Sequence, residues 1–202
     1  MKNIYKKTSF PPNGPWDDRM TNACCTDLSP VIELHSNPWF SVKKRANFYT
    51  TESKLSQVAI LPIVDGVAFV MVRVKRPILN DITLELPAGG AEEGESPEFS
   101  AARELFEESG ILINDLSRIK PMPPLSLSPT RMPTLLYVFR IDLTKEEYDD
   151  RKMHDSEIDS VCLVPFDEAI RLITVGGIYV SGIVAILGTF LLQKSPSSPS
   201  YL

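Results

Sequence analysis

Between residues 85 and 108 the chain carries eight carboxylates, Glu85, Glu92, Glu93, Glu95, Glu98, Glu104, Glu107 and Glu108, beside a single cation, Arg103. That window has a charge of −7 and the whole 202-residue chain −5, so everything outside the window sums to +2. The acidity is a local object. Glu104 and Glu108 are four apart and Glu107 lies three after Glu104, a spacing that puts all three on one side of a helix. Like charges so arranged repel, and Arg103, four before Glu107, neutralises only part of them. A divalent cation can neutralise the rest. Oxygen donors with no His or Cys nearby select a hard ion, Mg²⁺ with Mn²⁺ as its substitute, before zinc. Mg²⁺ also tends to complete its octahedron with substrate phosphates. Three glutamates alone would equally describe a solvated acidic helix face, so the surrounding pattern has to decide.

The elements that must position these groups are legible around them. Ser96-Pro97 has the form of an N-cap with proline at the first helical position, and Gly110 follows Ser109 where a helix ends in left-handed backbone. This predicts a helix from Pro97 to about Ser109. Upstream, VAILPIV from residue 58 and VAFVMVRV are β-rich runs separated by Asp65-Gly66, a pair suited to a hairpin turn in which both central residues have positive φ. Arg73, Lys75 and Arg76 close the second strand, Pro77 ends it, and the glycine-rich acidic loop ELPAGGAEEGE leads into the helix. Further on, the stretch with Pro121, Pro123, Pro124, Pro129 and Pro133 is expected to be a long loop, LLYVFRID and VCLVP strands, and Phe166–Leu172 and 178–193 closing helices. The first forty or so residues, with Pro11, Pro12, Pro15, Pro30 and Pro38, suggest an extended lead-in whose one dense patch is Asn37-Pro38-Trp39-Phe40. The expected organisation is an N-terminal extension with short strands over 1–57, an α/β domain over 58–193 and a disordered tail over 194–202.

Several classes are excluded or disfavoured. A net charge of −5 and a pI near 5.1 argue against a nucleic-acid partner. Three cysteines, two of them adjacent, make no disulfide framework and have no zinc-ligand spacing, which fits a reducing cytoplasm. The lysines near the N-terminus are not followed by the apolar run of a signal peptide. Residues 174–193 carry no charge over a length near that of a membrane span. Their glycines and small residues alternate with Ile183, Ile186, Leu187, Phe190 and Leu191 at helical spacing, which predicts a buried helix of a protein with no membrane partner.

The string from 89 to 111 decides the acidic cluster. Gly89, five residues, Glu95, seven residues and then Arg103-Glu104-Leu105-Phe106-Glu107-Glu108-Ser109-Gly110-Ile111 resembles the Nudix box at every specified position. The resemblance implies an α/β fold, a Nudix-type α/β/α sandwich with a mixed sheet, and Mg²⁺-dependent hydrolysis of a nucleoside diphosphate linked to another moiety. It implies Glu104, Glu107 and Glu108 as metal ligands, with the Ala88 carbonyl and the Glu85 carboxylate as secondary candidates and Arg103 as the group that orients the glutamates. Val74-Lys75-Arg76-Pro77 and Glu85-Leu86-Pro87-Ala88-Gly89 are similar to segments of ADP-ribose pyrophosphatases and nucleoside diphosphate-sugar hydrolases. That likeness makes Arg76 a diphosphate clamp, with Arg73 beside it, and Trp39 an aromatic that stacks on the base, often across a homodimer interface. Glu157, in the loop before VCLVP, is the candidate general base, with Glu93 and Glu95 as competitors. One departure is visible: similar ADP-ribose hydrolases carry Ser-Pro-Gly and then an acid after the box, where this chain has Ser128-Pro129-Thr130 and Thr134. The expected activity is cleavage of a nucleoside diphosphate sugar, ADP-ribose first, to a nucleoside monophosphate and a sugar phosphate. The alternative is a non-catalytic Nudix-like module that senses a nucleotide.

Overall fold

Continuous apolar runs in the middle of the chain, in place of an apolar–polar alternation, produce central strands that are buried on both faces. The computed structural model describes residues 28–153 and 155–194. A small antiparallel sheet comes first, with β1 (Val31–Ser36), β2 (Phe40–Arg45) and β3 (Phe48–Ser53) in that order. The larger sheet contains β4 (Gln57–Val64), β5 (Ala68–Arg76), β6 (Asp81–Glu85), β7 (Ala88–Gly90), β8 (Lys120–Leu125), β9 (Leu136–Leu143) and β10 (Ile158–Pro165). Its order is β10-β5-β4-β9-β8, with β6 on β5 and β7 on β4. The sheet is mixed, because β4 and β9 run parallel while the other pairs are antiparallel. The helices are α1 (Pro97–Ser109), α2 (Lys145–Asp149), α3 (Phe166–Thr174) and α4 (Ser181–Lys194).

The strand period of two sorts β4 and β5 between two cores. Val58, Ile60, Val64 and Val70 point to one side and pack with Ala101, Ala102 and Leu105 of α1. Ala59, Leu61, Ile63, Phe69 and Met71 point to the other and pack with Ala169 of α3 and Ile183, Ile186, Leu187 and Phe190 of α4. This is the expected sandwich of a mixed sheet between helices. Helix α4 is thus accounted for by burial against the sheet, and among the described residues no helix is long and apolar enough to cross a membrane.

Local expectations hold where turn chemistry is strong. Asp65 and Gly66 have φ of 49° and 70°. The connection has three residues rather than two, because Val67 N–H bonds to the Val64 carbonyl and pairing resumes at Val64↔Ala68. Two expectations need correction. Residues 120–125 are not loop but β8, on the open edge of the sheet; Pro121, Pro123 and Pro124 lack the N–H that a further strand would need, and an edge tolerates that. The last helix starts at Ser181 rather than 178, and Ile178 is fully buried in the connection before it. In the N-terminal extension, where short strands are expected, β1, β2 and β3 occupy Val31 to Ser53. The expected disordered tail lies, apart from Lys194, outside the described residues.

Candidate active site

The site is assembled at one end of α1. Ser96 caps the helix by accepting from Phe99 N–H at 3.2 Å, and Gly110 ends it with φ 75°. A methyl group on Gly110 would lie 2.2 Å from the Lys152 carbonyl oxygen, so this position needs glycine for both its backbone and its neighbour. That close approach brings in the loop before β10. Lys152 N–H donates to the Gly110 carbonyl at 2.8 Å and Asp155 N–H to the Glu107 carbonyl at 2.7 Å. The same loop carries Glu157, whose N–H donates to the Asp155 carboxylate at 3.2 Å.

Arg103 is the hub on one side. Its Nε donates to Glu95 at 2.8 Å, its Nη1 to Glu104 at 2.9 Å and to Glu107 at 2.8 Å, and its Nη2 to the Gly90 carbonyl at 2.7 Å. One guanidinium therefore ties the start of the glycine loop to three glutamates of the motif. The hydrogen bond from Arg103 holds the Glu95 carboxyl at about 2, far below the ordinary carboxylate range, with Ser100 also donating to it. Glu95 is therefore committed to Arg103.

Glu104 and Glu108 face the opposite situation. Glu104 is buried, and that burial raises its pKa in spite of Arg103. Gly89 makes the room: a methyl group there would fall 2.3 Å from the Glu104 carboxylate. Glu108 is partly buried and accepts one hydrogen bond, from Ala88 N–H at 3.0 Å. Burial, together with the charges of Glu104 and Glu85, pushes its pKa up to about 8, against the pull of Ala88 and Arg76. A desolvated carboxyl with so little compensation is one whose ionised form needs a cation.

Arg76 supplies the cleft's positive group. Its Nε and Nη2 donate to the Glu85 carboxylate at 2.8 and 2.9 Å, and Thr83 Oγ1 donates to the same carboxylate at 2.5 Å. Burial disfavours the charge on Glu85, but these bonds outweigh it and its pKa is lowered. Glu85 thus holds Arg76 in place and does not line the cleft. The cleft has a volume of about 290 Å³ and brings together Arg76, Ala88, Glu104, Glu107, Glu108 and Glu157 from four separate stretches of chain. Asp155 also lines it. Sequence reasoning does not find Asp155, because nothing in its local spacing marks it.

Two expected residues stand elsewhere. Arg73 is three before Arg76 on β5, so it points to the opposite face of the sheet, 4.0 Å from Asp159. Trp39 is 71% exposed in the β1–β2 turn, where Asn37 Oδ1 accepts from its N–H at 2.9 Å, and it does not line the cleft. Glu93 is exposed and also absent from the cleft wall.

The donor chemistry fits a hard divalent ion: every side chain that could bind one is a carboxylate, and Glu108 is desolvated without an ion-pair partner of its own. As they stand, no three such groups among the described residues converge tightly enough to cage an ion. Glu104 and Glu107 are instead turned toward Arg103.

The fold and this constellation define a class. Residues 54–178 match the NUDIX domain, and the chain belongs to the Nudix family. Among the proteins similar to it in sequence are two of known name. It is 30% identical over 122 residues to the ADP-ribose pyrophosphatase of Bacillus subtilis (strain 168), a match covering 60% of this chain and 64%, less than two thirds, of that protein. It is 26% identical over 138 residues to the methanol dehydrogenase activator of Bacillus methanolicus, covering 68% of this chain and 73% of the other. Among solved structures, an ADP compounds hydrolase superposes with a TM-score of 0.60 over 82% of this chain and 91% of that one. At 21% identity that likeness speaks to the fold alone.

Proposed function

We propose that the chain hydrolyses the diphosphate bond of a nucleoside diphosphate sugar, ADP-ribose first, to a nucleoside monophosphate and a sugar phosphate, with Mg²⁺ as cofactor. The observation that carries this reading is the cleft in which Arg76, fixed by Glu85, faces the under-compensated carboxyls of Glu104 and Glu108. Glu104, Glu107, Glu108 and the Ala88 carbonyl would hold Mg²⁺, or Mn²⁺ in its place. When bound, the ion neutralises charge on the phosphates and lowers the pKa of a bound water. Arg76 binds the diphosphate through Nη1, since Nε and Nη2 are engaged by Glu85. Glu157, on the cleft wall, takes the proton of the attacking water. Arg103 keeps Glu104 and Glu107 oriented. Arg73, on the far face, contributes attraction for the anionic substrate at a distance.

The same reading includes a homodimer. Ile32 and Tyr49, which share one face of the small sheet through Lys44, are 48% and 51% exposed, an apolar surface suited to a second copy, and Trp39 of that copy would stack on the base. The cysteine usage supports the cytoplasm as the place of action. The test is incubation with ADP-ribose, other nucleotide sugars and dinucleoside polyphosphates in Mg²⁺, with products separated by chromatography. AMP and ribose 5-phosphate are expected from ADP-ribose, and their formation should stop in EDTA. No turnover of any compound would favour the nucleotide-sensor alternative.

A further inference from the structure

Glu157 stands in the turn that enters β10, and the chain is anchored on both sides of it. After it, Ile158 is buried with Val72 and Val74 of β5. Before it, Asp155 N–H donates to the Glu107 carbonyl at 2.7 Å. That carbonyl belongs to the last turn of α1, where helical carbonyls lack partners inside the helix, so the loop supplies a donor that the helix end needs.

The side chain of Asp155 continues the link. Its Oδ1 accepts from Glu157 N–H at 3.2 Å and from the Ser156 hydroxyl at 3.1 Å, while its carbonyl accepts from Ile158 N–H at 3.2 Å. This is the arrangement in which an aspartate closes a turn on the backbone two residues further on. The path from the backbone of Glu107 to that of Glu157 is therefore two hydrogen bonds long, and Asp155 takes part in both: its N–H reaches the helix and its carboxylate reaches Glu157. Glu157 itself is exposed, so its direction depends on its backbone more than on packing. Both residues line the cleft that holds Glu104, Glu107 and Glu108.

We propose that Asp155 is a positioning residue for the general base: by accepting from Glu157 N–H while its own N–H holds α1, it sets the Glu157 carboxylate against the glutamates of the helix. The inference rests on the reading of the cleft as a diphosphate hydrolase with Glu157 as its base. The role asks for an acceptor oxygen at this point and not for a negative charge, and asparagine makes the same turn. Asp155 thereby differs from the other carboxylates of the cleft, which the proposed chemistry uses as anions.

The experiment is a double-mutant cycle on ADP-ribose hydrolysis in Mg²⁺, with rates taken per folded molecule. In Asp155→Ala kcat should fall about tenfold with KM little changed, a part of the roughly 100- to 10,000-fold that a general base contributes. Asp155→Asn, which keeps the acceptor, should restore kcat. In a Glu157→Gln background Asp155→Ala should cost nothing further, because the group it positions has already lost its function. Three results would overturn the inference: an unchanged kcat in Asp155→Ala, an Asp155→Asn as impaired as Asp155→Ala, or a loss of equal size with and without Glu157. If the wild-type chain turns over no nucleotide compound, the hydrolase reading itself fails and this inference falls with it. A wild type that turns over ADP-ribose but shows no coupling between the two residues leaves that reading standing and overturns the inference alone.

Discussion

Two ends of one short motif treat their carboxylates in opposite ways. At the first, Glu95 has a guanidinium, a hydroxyl and a backbone N–H, and its carboxyl is held at about 2. At the second, Glu108 has one backbone N–H and a desolvating environment, and its pKa is pushed up to about 8. Both belong to the same acidic window, and the difference lies in where the single cation is directed. Arg103 stabilises the scaffold, and the deficit is left facing the cleft. The acidic cluster is thus divided into carboxylates already paired with Arg103 and Glu108, which has no cation partner of its own.

The largest test of this contrast is Glu108→Gln. It should lower turnover of ADP-ribose on the order of a thousandfold while leaving the metal-free fold at least as stable, because the substitution removes an uncompensated acid. A comparable loss of stability would put Glu108 on the structural side. Next is Arg103→Ala, which leaves Glu95 and Glu104 without their partner and should cost about 3 kcal/mol in denaturant unfolding; an unchanged midpoint would remove Arg103 as the hub.

Third is pH. Glu108 is raised in the folded state, so the fold binds its proton more tightly than the unfolded chain does. Metal-free stability should therefore fall as pH rises from about 4.5 to about 8, by a few kcal/mol at most. Glu95 is lowered, so its contribution is complete above about 4.5 and is lost as pH falls toward 2. Thermal scans with EDTA should show the alkaline loss in the wild type and a smaller one in Glu108→Gln, where the raised Glu104 remains. Smallest is Gly89→Ala, whose methyl group must displace the Glu104 carboxylate. About a tenfold drop in kcat/KM with little change in melting temperature is expected, and the reverse pattern would make Gly89 a folding residue.

Much of this arrangement is legible in the sequence itself. The turn at Asp65-Gly66, the cap at Ser96-Pro97 and the stop at Gly110 depend on local backbone chemistry, and all three stand where that chemistry puts them. The box spacing likewise anticipates the Arg103–Glu107 pair. What local spacing does not supply is long-range choice. Arg73 and Arg76 look equivalent until the strand period sends them to opposite faces. Glu85 and Asp81 both neighbour Arg76 across the sheet, and only the side-chain path to Thr83 and Glu85 decides which one holds it. The prolines of β8 suggest a loop because their tolerance on a sheet edge depends on strand order, which sequence alone does not display.

With burial raising Glu108 to about 8, a divalent ion bound by its carboxylate near pH 7 would have to displace a proton. Titration calorimetry with Mg²⁺ near pH 7, in buffers of different ionisation enthalpy, counts the protons displaced on binding. The wild-type chain should release close to one proton per ion bound at this site, and Glu108→Gln should bind more weakly with none released. Mg²⁺ binding without proton release in the wild type, or equally tight binding in Glu108→Gln, would contradict the account.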